Sequence, residues 1–153
     1  MKITSIILAA LCSSSLAIAG DAPVKGMDKI PAAAAEGLKK YAADHSMKIE
    51  KVATEKHGKV TVYEAELSAP GQPPHEVAVT ADGKVKGEEE TIPLDKVPDA
   101  ARKAIEAGAK GSKIVRVQLI KEDGITTYEA EYQNAKGKIS EVEYLEDGKV
   151  KPE

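Results

Sequence analysis

The chain has 153 residues, with 22 Lys and Arg against 25 Asp and Glu, for a formal charge of −3 at pH 7. Trp and Phe are absent, five tyrosines are the aromatics, and Arg102 and Arg116 are the arginines, which argues against the basic face and stacking platform of a nucleic-acid binder. The one cysteine, Cys12, lies in the leader-like start of the chain, so the rest of the chain has no disulfide framework, thiol nucleophile or cysteine-ligated metal.

The opening MKITSIILAALCSSSLAIAG has Lys2, an apolar run, and then Ala17 and Ala19 at the −3 and −1 positions of a cleavage site. That is the pattern of a secretory signal peptide, residues 1–19, cleaved after Ala19. It predicts a periplasmic or secreted protein. Ser13, Ser14 and Ser15 interrupt a run already short of the ~20 residues of a membrane span. Leu11 before Cys12 is a poor fit to a lipidation site. No other stretch is apolar enough to cross a membrane.

Next comes DKIP, Asp28 to Pro31. Proline suits the start of a helix, where its missing N–H goes unneeded. Ala34, Leu38 and Tyr41 then form an i, i+4, i+7 stripe, with Lys39 and Lys40 off it. Alternating stretches come after it, broken by turns at His57-Gly58, Pro70-Gly71 and Asp82-Gly83. Met47 and Ile49 alternate, but Val52 breaks phase, the mark of a bulge or a register change. The link Gly87 to Asp95, with three successive glutamates and Pro93, is expected to cross exposed surface.

The pattern then restarts. DKVP (Asp95 to Pro98) precedes a second stripe of Ala101, Ile105 and the small Gly108, with Lys103 off it, and Gly111 suits the helix stop. Val115, Val117 and Leu119 alternate with Arg116 and Gln118. Asp123-Gly124 is a hairpin signal, after which Tyr128, Ala130 and Tyr132 share a face. Lys136-Gly137 turns the chain, Val142 and Tyr144 return on the same side, and Asp147-Gly148 leads into a short last strand. Three landmarks thus recur in order: DKxP, YEAE at Tyr63 and Tyr128, and DGKV at Asp82 and Asp147. The tyrosine-to-aspartate spacing is the same in both copies. Recurrence of this kind indicates a tandem duplication. The fold expected is α+β, a tandem repeat of a helix followed by a four-stranded antiparallel meander, over residues 27–89 and 92–153. Units that small are marginal alone, so the two are expected to pack together or to continue one sheet.

The run from IPLDKVPDAARKAIEAG through KIVRVQLIKEDGITTYEAEY to GKISEVEYLEDGKV resembles the PepSY-like domains grouped with the β-lactamase-inhibitor-protein (BLIP) fold. The resemblance covers Ile92 to Glu153 well and Asp28 to Glu89 more loosely, and so implies two tandem copies. It implies a secreted or periplasmic α+β module with a binding or inhibitory role; related PepSY domains occur in the propeptides of thermolysin-type metallopeptidases. The inhibitor that names the fold uses disulfides and an aromatic-rich concave face. This chain lacks both, so inhibition of a β-lactamase does not follow from the fold.

The YEAE motifs set two carboxylates at i and i+2, roughly 6.5–7 Å apart along a strand. That overlaps the ~6.5–9.5 Å of inverting glycosidases. Tyr63, Ala65 and Leu67 alternate with Glu64 and Glu66, however, which turns the acids outward into water, where a carboxyl keeps its ordinary pKa and makes a poor general acid. Glu129 and Glu131 are expected near Glu141 and Glu143 on the next strand. Opposed like charges call for a cation, a lysine or a basic partner, and Lys138 and Arg116 can serve. No calcium loop of the Asp-x-Asp-x-Asp-Gly kind is present. Cofactors and a defined metal site are therefore not expected. His45, His57 and His75 are scattered and read as surface residues, and no Gly-x-Ser-x-Gly elbow occurs. Tyr63 and Tyr128 read as core, Tyr132 and Tyr144 as partly exposed strand-end residues.

These readings describe a non-enzymatic module that binds a protein partner through its outer sheet face. The contact residues are Glu64, Glu66, Glu129, Glu131, Glu141 and Glu143, and inhibition or regulation of a peptidase or hydrolase is one form that the role can take. The alternative is an acidic divalent-cation-binding envelope protein without a protein partner. Neither the identity of the partner nor the oligomeric state is legible at this level.

Overall fold

A computed structural model describes residues 24–57 and 59–152; the predicted signal peptide lies outside them. After a short 3₁₀ turn at Met27–Lys29 come helix α1 (Ala32–Asp44) and strands β1 (Lys48–His57), β2 (Val60–Ser68), β3 (His75–Val79) and β4 (Val85–Thr91). A second 3₁₀ turn at Leu94–Lys96 leads to α2 (Asp99–Gly108), then β5 (Lys113–Glu122), β6 (Ile125–Gln133) and β7 (Ile139–Leu145). The strands form one seven-stranded sheet in the order β1-β2-β3-β4-β5-β6-β7, every neighbouring pair antiparallel.

This corrects the expected tandem repeat of a helix and a four-stranded meander. The second half has three strands; its last stretch contributes a single bridge, Tyr144 to Val150. The link 87–95 does not cross open surface. Its residues Gly87 to Thr91 lie in the middle of the sheet, paired with β3 on one side and with Gln118 to Glu122 of β5 on the other. The glutamate run is compatible with a strand there because neither helix covers β4: one face of the strand is open, and the other looks into the seam between the helices.

Both helices start where the sequence places them, with Pro31 and Pro98 at the N-caps. Ala34, Leu38 and Tyr41 are buried over Ile49, Val52, Ala65, Leu67, Val77 and Val79. Ala101 and Ile105 are buried over Val117, Tyr128, Ala130, Tyr132 and Tyr144. The cross-sheet row Leu67, His75, Glu90, Leu119, Tyr128, Tyr144 runs through the sheet register and puts both clusters on the same face. Among the described residues no helix lies on the other face.

The phase break at Val52 is a register shift between Ile49 and Lys51, which brings Ile49 and Val52 to the same side. An equivalent shift lies between Ile114 and Arg116. It corrects the expected alternation of Val115 with Val117: Val115 is exposed, while Ile114 packs on the core with Val117. Gly108 is fixed by its surroundings, since a Cβ there would collide with the hydroxyls of Tyr144 and Tyr132. Those tyrosines are not partly exposed as expected but 4% and 3% exposed. Their hydroxyls share a 2.9 Å hydrogen bond, and Tyr132 also donates to Ile105 O at 2.9 Å. Burial of a tyrosine under a helix requires such partners.

Candidate functional site on the outer sheet face

All six predicted glutamates project from the helix-free face: Glu64 and Glu66 from β2, Glu129 and Glu131 from β6, Glu141 and Glu143 from β7. Alternation puts Ala65 and Leu67, and Tyr128, Ala130 and Tyr132, under the helices and the acids opposite. Register brings four of the six together, with Glu129 facing Glu143 and Glu131 facing Glu141. The β2 pair is separated from them by β3, β4 and β5.

The intervening strands supply residues that the sequence reading did not single out as site residues. Glu66 faces Glu76 on β3, and Glu76 faces Glu89 on β4, a run of three carboxylates directly opposite one another. Cations contact the array at Glu66, Glu131 and Glu143. Lys51 donates to Glu66 at 2.6 Å, Arg116 donates to Glu131, and Lys151 donates to Glu143 at 2.7 Å. Lys121 belongs to the helix side, 3.9 Å from Glu88. Ala78 and Gly87, side by side in the centre, lack the bulk to fill the space between the acids. They line a small depression together with Glu64, Glu76, Glu89 and Ile120.

The electrostatic outcome corrects the expectation of ordinary carboxyls. Glu64 is pushed up to about 8, by desolvation first and then by Glu76, Glu55, Glu89 and Glu66. Glu129 is pushed up to about 7, by desolvation and then by Glu141, Glu89 and Glu143, against a lowering pull from Arg116. Burial also raises Glu76 and Glu141, with Glu66 and Glu131 as the next causes. The acids do face outward, but the sheet centre is half-buried and crowded with like charge, so part of the array holds protons near neutral pH. Alternation gave the face correctly; the neighbours from β3 and β4 set the proton affinity.

The histidines divide. His45 caps α1, its Nδ1 2.8 Å from Tyr41 O, and is exposed as expected. His75 is not a surface residue: it is 7% exposed, with Nε2 2.8 Å from the Tyr41 hydroxyl, and desolvation lowers its pKa. It sits on the helix side beside Glu88, Glu90, Leu119 and Lys121. The His57 side chain lies outside the described parts. No local pattern at Pro73-Pro74-His75 reveals the partner, because Tyr41 comes from another element.

No family model matches the chain, and no curated protein matches it. Solved structures do. A protein from Bacteroides eggerthii proposed to be periplasmic superposes with TM-score 0.62 at 18% identity, over 79% of this chain and 85% of that one. A DUF2874 family protein from Bacteroides uniformis gives 0.61 at 18% identity, over 78% and 85%. A BLIP-like protein from Bacteroides fragilis gives 0.54 at 18% identity, over 87% and 86%. The chain has a BLIP-like fold. Among the described residues no helix is long and apolar enough to cross a membrane.

Proposed function

We propose that this is a periplasmic or secreted, non-enzymatic binding module of the PepSY-like type, and that its acidic sheet face docks a basic segment of a protein partner. The observation that supports the reading is the run Glu66, Glu76 and Glu89, three carboxylates set directly opposite one another across a face that neither α1 nor α2 covers. Directly opposed like charges destabilise a sheet, so a face that keeps them is built for something that arrives from outside carrying positive charge. Lysines and arginines of a partner would meet carboxylates already in place, and complementary fields of this kind speed encounter and exclude acidic competitors.

A carboxyl that stays protonated near neutral pH also suits a general acid, and Glu64 and Glu129 have that property. The non-enzymatic reading is favoured because the raised values arise from crowding over a broad face. The depression beside Glu64 encloses only about 20 Å³, far below the ~300 Å³ and more of a small-molecule site. A secreted peptidase or other hydrolase is the narrower partner class, on the strength of the BLIP-like fold and the signal-peptide pattern.

Capture from an envelope extract tests the reading. The wild-type chain should retain a specific partner that elutes as salt is raised, since exposed charge pairs are screened over ~10 Å at 0.1 M. Reversal of Glu64, Glu66 and Glu76 to lysine should abolish retention. Capture of nothing specific, or of the same partner by the reversed chain, would refute it.

A further inference from the structure

The sheet ends at β7, and the chain itself shows what that edge accepts. Residues Lys149 to Lys151 return along the strand: Leu145 N–H donates to Lys149 O and Lys151 N–H to Glu143 O, each at 2.8 Å. Val150 lies opposite Tyr144, on the helix side. Lys151 falls beside Glu143 on the outer face and donates to its carboxylate through Nζ at 2.7 Å. The alternation Lys-Val-Lys thus matches the edge twice, with valine toward the helix side and lysine toward a carboxylate.

Among the described residues this pairing goes no further toward Ile139. Strand residues two apart direct their N–H and C=O groups the same way. Those of Glu141 and Ile139 therefore point to the same edge as those of Glu143 and Leu145, and the stretch Ile139 to Glu141 is exposed. Glu141 repeats the position of Glu143, facing outward with a carboxylate, Glu131, opposite it on β6. The nearby cation, Arg116, is paired with Glu131.

The strand also lacks the devices that keep edges from pairing. Its sequence ISEVEYL has no lysine or proline, and its register with β6 is unbroken. The opposite edge has them: β1 is bulged between Ile49 and Lys51, bears Lys48, Lys51 and Lys56, and is bridged by Lys25. Those lysines also make β1 the wrong edge for a basic chain.

We propose that the Ile139 to Val142 half of β7 takes an extended basic segment of a protein partner as an added antiparallel strand, with lysine or arginine opposite Glu141. Main-chain bonds supply the affinity and the side-chain alternation supplies the specificity. A second copy is the poorer occupant, since its β7 would bring an acidic strand to an acidic edge. The inference rests on the reading of a basic partner and gives that partner a place on the backbone.

NMR titration of the intact chain with a capped peptide alternating lysine with valine, the pattern of residues 149–151, decides it. Saturable shifts should centre on the amides of Ile139 and Glu141. N-methylation of the peptide's lysines, whose N–H groups face β7 as that of Lys151 does, should weaken binding about tenfold or more; N-methylation of its valines should change it less than about twofold. Glu141→Pro removes a donor that points away from β6, a change that edge strands tolerate, and should weaken binding as much. Thr54→Pro on the β1 edge should not. Thermal melting establishes that each variant folds; if Glu141→Pro does not, the methylated peptides carry the test. No saturation by about 10 mM peptide, ten times a millimolar dissociation constant, overturns the site. So does equal weakening by both methylations, because charge attraction alone ignores backbone donors. A dimer of the chain that Glu141→Pro dissolves would give the edge to a second copy and overturn it as well. An envelope partner lost on reversal of Glu64, Glu66 and Glu76 but kept by Glu141→Pro, with no peptide addition, ends this inference while the docking reading stands.

Discussion

Glu64 meets carboxylates from β1, β2, β3 and β4, and its folded value of about 8 makes it the residue on which proton linkage bears most directly. An unfolded glutamate titrates near 4.3, so between there and about 8 the native chain holds a proton that the unfolded chain has released. Stability from this group is fully present below the unfolded value and is lost as pH rises through the folded one. Urea denaturation midpoints of the wild type should therefore fall between pH 5 and pH 8.5. Glu64→Gln keeps the neutral shape without the titration. It should stabilise by about 1–3 kcal/mol at pH 8.5, the order expected from a discounted shift of this size, and by nearly nothing at pH 4.5. A gain of the same size at both pH values would show that the side chain acts through packing rather than charge.

At the scale of the element, the helices were legible because their stripes are continuous: Ala34, Leu38 and Tyr41, then Ala101 and Ile105, are all buried. The outward face of YEAE was legible for the same reason, since one alternation decides it. The second bulge was not, because Val115, Val117 and Leu119 satisfy a plain alternation as well as Ile114 and Val117 satisfy a bulged one; burial chose the latter. A fourth strand was expected after the Asp82-Gly83 turn, but its extension through Glu88, Glu89 and Glu90 was hidden by its solvation. Glu88 and Glu90 face the seam between the helices and Glu89 faces the open side, so no apolar residue marks a period. Gln118 read merely as the polar partner of Val117, and its burial comes from the strands beside it. The placement of β4 makes a sharp prediction. Glu89→Pro removes a backbone donor from a strand paired on both sides and should cost about 3 kcal/mol or more, while Glu89→Gln should not. Chemical denaturation of the two variants measures this, and a proline tolerated within about 0.5 kcal/mol, as at an ordinary surface position, would return residues 87–91 to a surface link.

For the molecule as a whole, two influences on cooperativity oppose each other. The hydrophobic clusters under α1 and α2 are separate, and between them lies a polar seam of His75, Glu88, Glu90 and Lys121. Taken alone, that division favours two melting steps. The backbone favours one: Gly87 to Thr91 pairs residue for residue with Gln118 to Glu122. Separating the halves would expose both of those strands as unpaired edges. Each half would also be left with a core of the size that small domains without disulfides struggle to stabilise. The ladder should win, because neither half has the surplus to survive as a bare-edged sheet. Calorimetry should then show one transition with equal van't Hoff and calorimetric enthalpies. Ile105→Ala removes packing only from the second cluster, at a cost of about 2–5 kcal/mol. If the ladder couples the halves, the slowest-exchanging amides of β2, under α1, should lose the same protection as those of β6. Protection of β2 left intact while β6 weakens, or two resolved heat-absorption peaks, would mean that the seam divides the molecule despite the sheet that crosses it.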